Sequence, residues 1–208
     1  METTDATSGG KRERNKAENR AEILKAAREV FTELGYEGAG VRDIVRRTSL
    51  AAGTFYNYFV DKDAIFRALI YDLEERRREV RKRFPQRNRD VRETIEAGFR
   101  AYFTFVVEDI PMFEMLRRNS GVLGGFFEDP ELMTSNRLTQ EWLQSLIDTR
   151  DLPADTDAEY MAAVISGITW EIAVRLIRRE DKDIEQPTRM ASDLICGYLE
   201  PNKRAKSK

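Results

Sequence analysis

The stretch VRDIVRRTSLAAGTFYNYF, residues 41–59, decides how the chain is read. Val41, Ile44 and Val45 fall at i, i+3 and i+4, one apolar stripe on a short helix. Asp43 suits the positive end of its dipole, and Arg46 and Arg47 suit the negative end. Thr48 and Ser49 interrupt the pattern with turn chemistry. A second helix is predicted from Ala51 to Tyr58, anchored by Phe55 and Phe59 at i and i+4. Gly53, Thr54, Tyr56, Asn57 and Tyr58 are left for its other faces. A merely solvated helix face carries Lys and Glu, and this one carries neither. Gly53 admits a close-approaching backbone. Thr54 and the tyrosine hydroxyls can donate to phosphates, and Asn57 can pair with an adenine edge. The alternative for the same residues is packing against a neighbouring domain.

Working outward, Ile23, Ala27, Val30, Phe31 and Leu34 make the stripe of a preceding helix, Ala17 to Leu34. Gly35 is placed as its left-handed terminator. Asp61 is positioned to cap a fourth helix that starts at Lys62 and ends at Pro85. From Lys16 to Arg77 the chain resembles the DNA-binding domain of the TetR family of transcriptional regulators. The matching residues are Ile23-Leu24, Lys25-Ala26-Ala27, Val30-Phe31 and Glu33 to Gly38, then VRDIV at 41–45, GTFYNYF at 53–59 and DKDAIFRAL at 61–69. The resemblance implies base contacts from Thr54, Tyr56 and Asn57. It implies phosphate contacts from Arg42, Thr48, Ser49, Tyr58 and Lys62, with Ala51, Ala52 and Gly53 at the surface. Two positions depart from the family pattern. Ser49 stands where Gly is usual, and Ala51-Ala52 stand where Ser-Lys is frequent. The recognition helix is therefore expected to lack a side-chain N-cap at Ala51 and one basic contact.

Composition narrows the chemistry. There is no histidine among the 208 residues, and Cys196 is the single cysteine. A Ser-His-Asp triad, a Cys-His pair and a Cys- or His-rich zinc site are excluded within one chain. We therefore expect no catalytic centre, no metal and no cofactor. Cys196, inside Leu194-Ile195-Cys196, is expected to be a buried thiol. METTDATSGG lacks an apolar signal core, and the longest apolar run, Met161 to Trp170, is too short to span a bilayer. The expectation is a cytoplasmic protein with no membrane partner. Residues 1–89 carry 20 cations against 15 anions and residues 90–208 carry 15 against 22, which fits a DNA-reading head on an acidic body.

The predicted fold is all-α. Residues 1–16 read as a disordered basic arm containing Lys11, Arg12, Arg14 and Lys16. Residues 17–77 read as a three-helix head with its helix-turn-helix at 40–59, continued by the long fourth helix. Residues 78–202 form a helical ligand-binding and dimerisation domain, and 203–208 a disordered tail. Arg76 to Arg83, RRREVRKR, reads as a solvated face with Glu74, Glu75 and Glu79 at ion-pairing distance. Body helices are expected over 91–107, from Pro111, over 131–148, over 156–178 and over 186–199. Gly121, Gly124, Gly125 and Pro130 are expected to break the pattern in NSGVLGGFFEDP. The helix over 156–178 is apolar almost all round. With its successor it suits a four-helix interface between two subunits.

Aromatics and methionines in the body suit either a core or a pocket. The candidate lining is Phe99, Tyr102, Phe103, Met112, Phe113, Leu116, Phe127, Trp142, Ile165 and Thr169. Arg117, Arg118, Asn119, Thr169 and Glu171 are candidates to orient a ligand. MLRRNSG, residues 115–121, is similar to a stretch in TetR-like repressors of unsaturated fatty-acid synthesis and implies an acyl-chain ligand. The resemblance as a whole implies a homodimeric repressor on a near-palindromic double-stranded operator, released by a small apolar effector, acyl or aromatic. A ligand-independent regulator or activator, or an all-α small-molecule binding module, remains open on the same residues.

Overall fold

The computed structural model describes residues 6–83, 90–127 and 134–199, and the side chains of 10–83, 90–123 and 137–199. The elements, in order, are α1 (Ala6–Gly38), α2 (Val41–Val45), α3 (Ala52–Phe55), α4 (Lys62–Lys82), α5 (Val91–Glu108), α6 (Ile110–Arg118), α7 (Ser120–Phe127), α8 (Thr134–Asp148), α9 (Ala158–Leu176) and α10 (Glu185–Leu199). Every regular element among the described residues is a helix. The all-α fold, with an N-terminal helix-turn-helix and a C-terminal helical domain, is as the sequence predicts.

The chain divides into two compact units. The first runs to Asp72 and takes in Pro111–Phe126. The second holds Leu73–Ile110 and the chain from Phe127 onward. The expected body was one continuous stretch from residue 78. Instead, most of α6 and α7 belongs with the head. The physical reason is Asn119, which is 3% exposed. Its Oδ1 accepts from the Tyr36 backbone N–H at 2.5 Å. Its Nδ2 donates to the Phe31 carbonyl at 3.1 Å and the Met115 carbonyl at 2.7 Å. Asn119 therefore satisfies the backbone around the end of α1, where helix termini leave orphan groups. It was expected to face a ligand.

Several boundaries shift. α1 starts at Ala6, so residues 6–16 are helical where an arm without structure was expected. Ala, Lys, Arg and Glu there are good helix formers, and Arg14 pairs with Glu18 at 3.1 Å across one turn. Gly35 does interrupt α1, at φ 73° and ψ 164°. Leu34, placed in the buried stripe, lies 45% exposed beside that break. α7 is helical through the glycines expected to break it. The Asn119 carbonyl accepts from the Val122 and Leu123 N–H groups at 3.1 and 3.3 Å and starts the helix. Tertiary anchoring at Asn119 outweighs the cost of about 1 kcal/mol per helical glycine. Pro130 lies outside the described residues.

In the head, Ile23, Ala27, Val30, Phe31, Ile44, Phe55, Ile65 and Phe66 are fully buried. The Phe31, Tyr36 and Phe66 rings stack or meet edge-on at 5.0–5.8 Å. Asp61 caps α4 as predicted, accepting from the Ala64 N–H at 2.7 Å. In the second unit α10 packs on α5, α8 packs on α9, and α5 meets α9. Asp90 and Asp157 cap α5 and α9. Arg100 on α5 pairs with Glu96 at 2.8 Å and with Glu185 at the start of α10. Cys196 is a buried thiol.

Candidate nucleic-acid interface

The helix-turn-helix is held from beneath by apolar residues and from the side by two carboxylates of α1. Ile44 on α2 and Phe55 on α3 are fully buried, and Phe59 nearly so. Asp43 accepts from the Gly40 N–H at 2.9 Å and closes the start of α2. Arg47 forms a fork with Glu33 at 2.8 and 2.5 Å. That bond holds the Glu33 carboxyl below its ordinary range and the Arg47 guanidinium above its own. Glu22 accepts from the Ser49 N–H at 2.5 Å and from its hydroxyl at 3.1 Å. The turn between α2 and α3 is thus tied to α1 by side chains distant in sequence.

α3 is shorter than predicted. Four residues are regular helix, and Tyr56 to Tyr58 continue as single turns, with Asn57 and Tyr58 N–H groups bonded three residues back. Ala51 occupies the N-cap position with no side-chain bond, as its chemistry requires.

The polar side chains of the motif sort into two sets. In the first, the polar atoms are already engaged inside the fold. The Thr48 hydroxyl donates to the Val45 carbonyl at 2.8 Å. The Ser49 hydroxyl donates to Glu22. A hydroxyl has one proton, so neither residue can donate to a phosphate while these bonds stand. The Tyr58 hydroxyl accepts from Asn19 Nδ2 at 3.1 Å and keeps its proton. Lys62 turns inward. Its ammonium donates to the Tyr36 carbonyl at 3.0 Å and the Ala39 carbonyl at 3.5 Å and lies 4.4 Å from the Tyr36 ring centroid. The Tyr36 hydroxyl donates to Asp63. Burial, followed by that bond, raises the Tyr36 phenol above its usual range.

The second set has no side-chain hydrogen-bond partner among the described residues. It comprises Thr54, Tyr56 and Asn57. Tyr56 is 58% exposed, Asn57 is exposed, and Ala51, Ala52 and Gly53 are exposed beside them. A Cβ added at Gly53 meets nothing within 4 Å. The fold itself makes no demand for glycine there. Arg42 on α2 and Arg46 at its C-terminal cap are exposed, and neither has an ion-pair partner among the described residues. Arg46 is a candidate contact that its sequence position does not single out, and its lack of an ion-pair partner distinguishes it from Arg47.

The family model described as bacterial regulatory proteins, tetR family, matches residues 23–69. Over those residues the chain carries the DNA-binding domain of TetR-family transcriptional regulators. It is 25% identical over 190 residues to YdgC of Bacillus subtilis, an uncharacterised HTH-type transcriptional regulator, covering 86% of this chain and 89% of that one. It is 42% identical over 62 residues to AcnR of Corynebacterium glutamicum, an HTH-type transcriptional repressor, covering 30% of this chain and 33% of that one. Among solved structures, the fatty acid degradation regulator FadR of Bacillus halodurans superposes with a TM-score of 0.70 at 20% identity, over 88% of this chain and 96% of that one. Regulators of this family bind DNA and are often repressors.

The residues expected to line an effector pocket of this regulator do not fall in one unit. Met112, Phe113 and Leu116 are buried in the first unit. Phe99, Phe103 and Thr169 are buried in the second, where Tyr102, Trp142 and Ile165 are half-buried. The Thr169 hydroxyl donates to the Ile165 carbonyl one turn back, and the Glu171 carboxylate accepts from Arg175 at 2.5 Å. Neither side chain is spare. The Phe127 side chain lies outside the described residues. An open groove lies elsewhere in the second unit, between the end of α9 and the start of α10, lined by Ile172, Leu176, Pro187 and Met190 with Arg175 and Arg179 at its edge. No described helix is long and apolar enough to cross a membrane.

Proposed function

We propose that the regulator is a homodimeric repressor that reads a near-palindromic operator with α3 and is released by a small apolar molecule bound in its body. The observation that carries the DNA reading is the second set of side chains. Thr54, Tyr56 and Asn57 lie on and just after α3, whose face carries no charge, and their side-chain polar groups have no hydrogen-bond partner among the described residues. Asn57 is the base reader, suited to a paired bond with adenine. Arg42 and Arg46 take phosphates, with the Tyr58 proton as a further donor. Thr48, Ser49 and Lys62 hold α3 in register. Gly53 costs helix stability of about 1 kcal/mol relative to alanine with no return inside the fold, as expected where a DNA backbone must come close.

The dimer reading rests on α9 and α10. Tyr160 (75% exposed) and Val164 on α9, with Met190, Leu194 (60% exposed) and Tyr198 on α10, leave large apolar side chains in solvent. Met190, Leu194 and Tyr198 recur every four residues as one stripe. A stripe of this kind on adjacent helices marks an interface. A two-fold dimer places its recognition helices about 34–36 Å apart, one turn of DNA. The apolar effector rests on the buried aromatics of the body and on the likeness in fold to a fatty acid degradation regulator. To change occupancy it must bind the released form about a hundredfold better than the DNA-bound form.

The test is fluorescence anisotropy with DNA from upstream of the protein's own gene, across a salt series, with random DNA as control. Binding about a thousandfold tighter than to random DNA is expected. Asn57→Ala should lose about 1–3 kcal/mol of that affinity and relax preference at one base. Unchanged affinity and preference in Asn57→Ala would remove it as the base reader.

A further inference from the structure

The first turns of α1 are helix without a packed face. Every residue from Gly10 to Glu18 is exposed, and a helix that is polar all round gains nothing from burial. Residues 10–20, GKRERNKAENR, carry five cations against two carboxylates. Glu18 pairs with Arg14 at 3.1 Å. Lys11, Arg12, Lys16 and Arg20 have no ion-pair partner among the described residues. Arg12, Lys16 and Arg20 stand four residues apart, and like charges at that spacing repel one another on a bare helix.

The helix period sorts these cations by face. Arg12, Lys16 and Arg20 succeed one another at four-residue steps, and Ile23 and Ala27 continue the same line. Ile23 and Ala27 are fully buried in the core of the head. The basic row is therefore the outward continuation of the face by which α1 packs. It leaves the head beside the recognition element. Asn19, on the same face, donates to the Tyr58 hydroxyl at 3.1 Å, and the Arg20 guanidinium lies 5.7 Å from the centroid of the Phe59 ring. Tyr58 and Phe59 directly follow Asn57 in the chain. Lys11 and Arg14 fall on the opposite side of the helix, with Glu18. Glu13 flanks the row and forms no ion pair with it among the described residues.

We infer that Arg12, Lys16 and Arg20 bind phosphates of double-stranded DNA as one row, extending the contact beyond the groove that α3 reads. This rests on the DNA reading of α3 and adds a second, sequence-independent surface to it. At a rise of 1.5 Å per residue the row is about 12 Å long. A DNA strand carries one charge about every 3.4 Å of its axis, so two or three phosphates can lie along it. Phosphates between the cations turn their mutual repulsion into attraction. Contacts of this kind release counterions and fix the position of the protein without reading bases.

Two double variants that lose the same charge separate the faces. Arg12→Gln with Lys16→Gln depletes the row. Lys11→Gln with Arg14→Gln removes two cations from the other side. Glutamine is a good helix former and all four side chains are exposed, so both variants should melt with the unmodified protein. Binding of the full chain to DNA from upstream of its own gene, and to random DNA, is followed by anisotropy from about 50 to about 200 mM salt. On the upstream DNA the row variant should give a plot of log affinity against log salt that is shallower by about 1.8, two phosphates at about 0.9 each. The other variant should keep the unmodified slope. Equal flattening in both variants overturns the assignment to this face, since net charge alone then accounts for the loss. An unchanged slope in the row variant overturns the contact outright. Either result leaves the reading of α3 standing on Asn57→Ala. Flattening confined to the row variant, with no preference for the upstream DNA, supports the row and removes the operator from that site. Absence of binding by the unmodified protein to either DNA at low salt overturns the DNA reading and the row together.

Discussion

Two helix faces of this chain are open to solvent, and their chemistry is opposite. The face of α3 shows Ala51, Ala52, Gly53, Tyr56 and Asn57, short or amphipathic groups with hydrogen-bonding edges. The face of α9 and α10 shows Tyr160, Val164, Met190, Leu194 and Tyr198, which are large and mostly apolar. Neither resembles an ordinary solvated face, and each therefore implies a missing partner. A polar partner with a fixed pattern of donors and acceptors suits the first. A second apolar surface of the same kind suits the other. What separates the two is the support behind them. α3 is held in register by bonds from Glu22 and Asn19, whereas the α10 stripe needs only the helix period to be presented.

The comparison breaks most readily at its apolar end. Leu194→Asp puts a carboxylate in the middle of the stripe and should weaken self-association by about a hundredfold or more, near 3 kcal/mol. Sedimentation at micromolar concentration should then show a monomer. Operator affinity should fall with it, because two linked heads lose their mutual advantage. A variant that stays dimeric would move the subunit interface elsewhere. Next in size is Asn119→Ala. It strands the Tyr36 N–H and the Phe31 carbonyl in the interior and should cost about 1–3 kcal/mol in denaturant unfolding. A loss well below that range would mean water replaces the amide.

Ala51→Ser sharpens the other end. It supplies the side-chain cap that α3 lacks and should add about 0.5–1 kcal/mol of stability. The smallest effect belongs to Arg78→Ala. The Arg78–Glu75 pair is exposed on both sides, so the melting temperature should not change measurably.

Much of this was legible in the sequence because it is local. The stripes of α1 and α4, the Gly35 break, the Asp61 cap and the uncapped start of α3 all follow from residues within a turn of one another. What escaped was set by distance. Asn119 stands 83 residues from Tyr36, so nothing in MLRRNSG shows that its amide serves α1. Glu22 stands 27 residues from Ser49, and only the fold shows that the Ser49 hydroxyl is already engaged. The charge run on α4 was read correctly as paired, yet pairing judged by spacing credits every cation. Only the fold places Asp109 beside Arg76 and Glu108 beside Arg83. The helicity of α7 escaped for a similar reason, since glycine counts predict a break and the anchor that prevents it lies upstream.

The clasp at Asn119 bears on how regulators of this shape can be taken apart. The head is not a contiguous piece of sequence. Residues 111–126 complete it from beyond the long α4 and α5, and bring the amide that closes the end of α1. A fragment cut after α4 would carry its recognition helix intact and leave the base of that head unfinished. Chimaeras that graft one reading head onto another body must therefore exchange two segments together, and a recombination boundary placed only within α4 should yield hybrids that are soluble at best and poor at holding α3 in place.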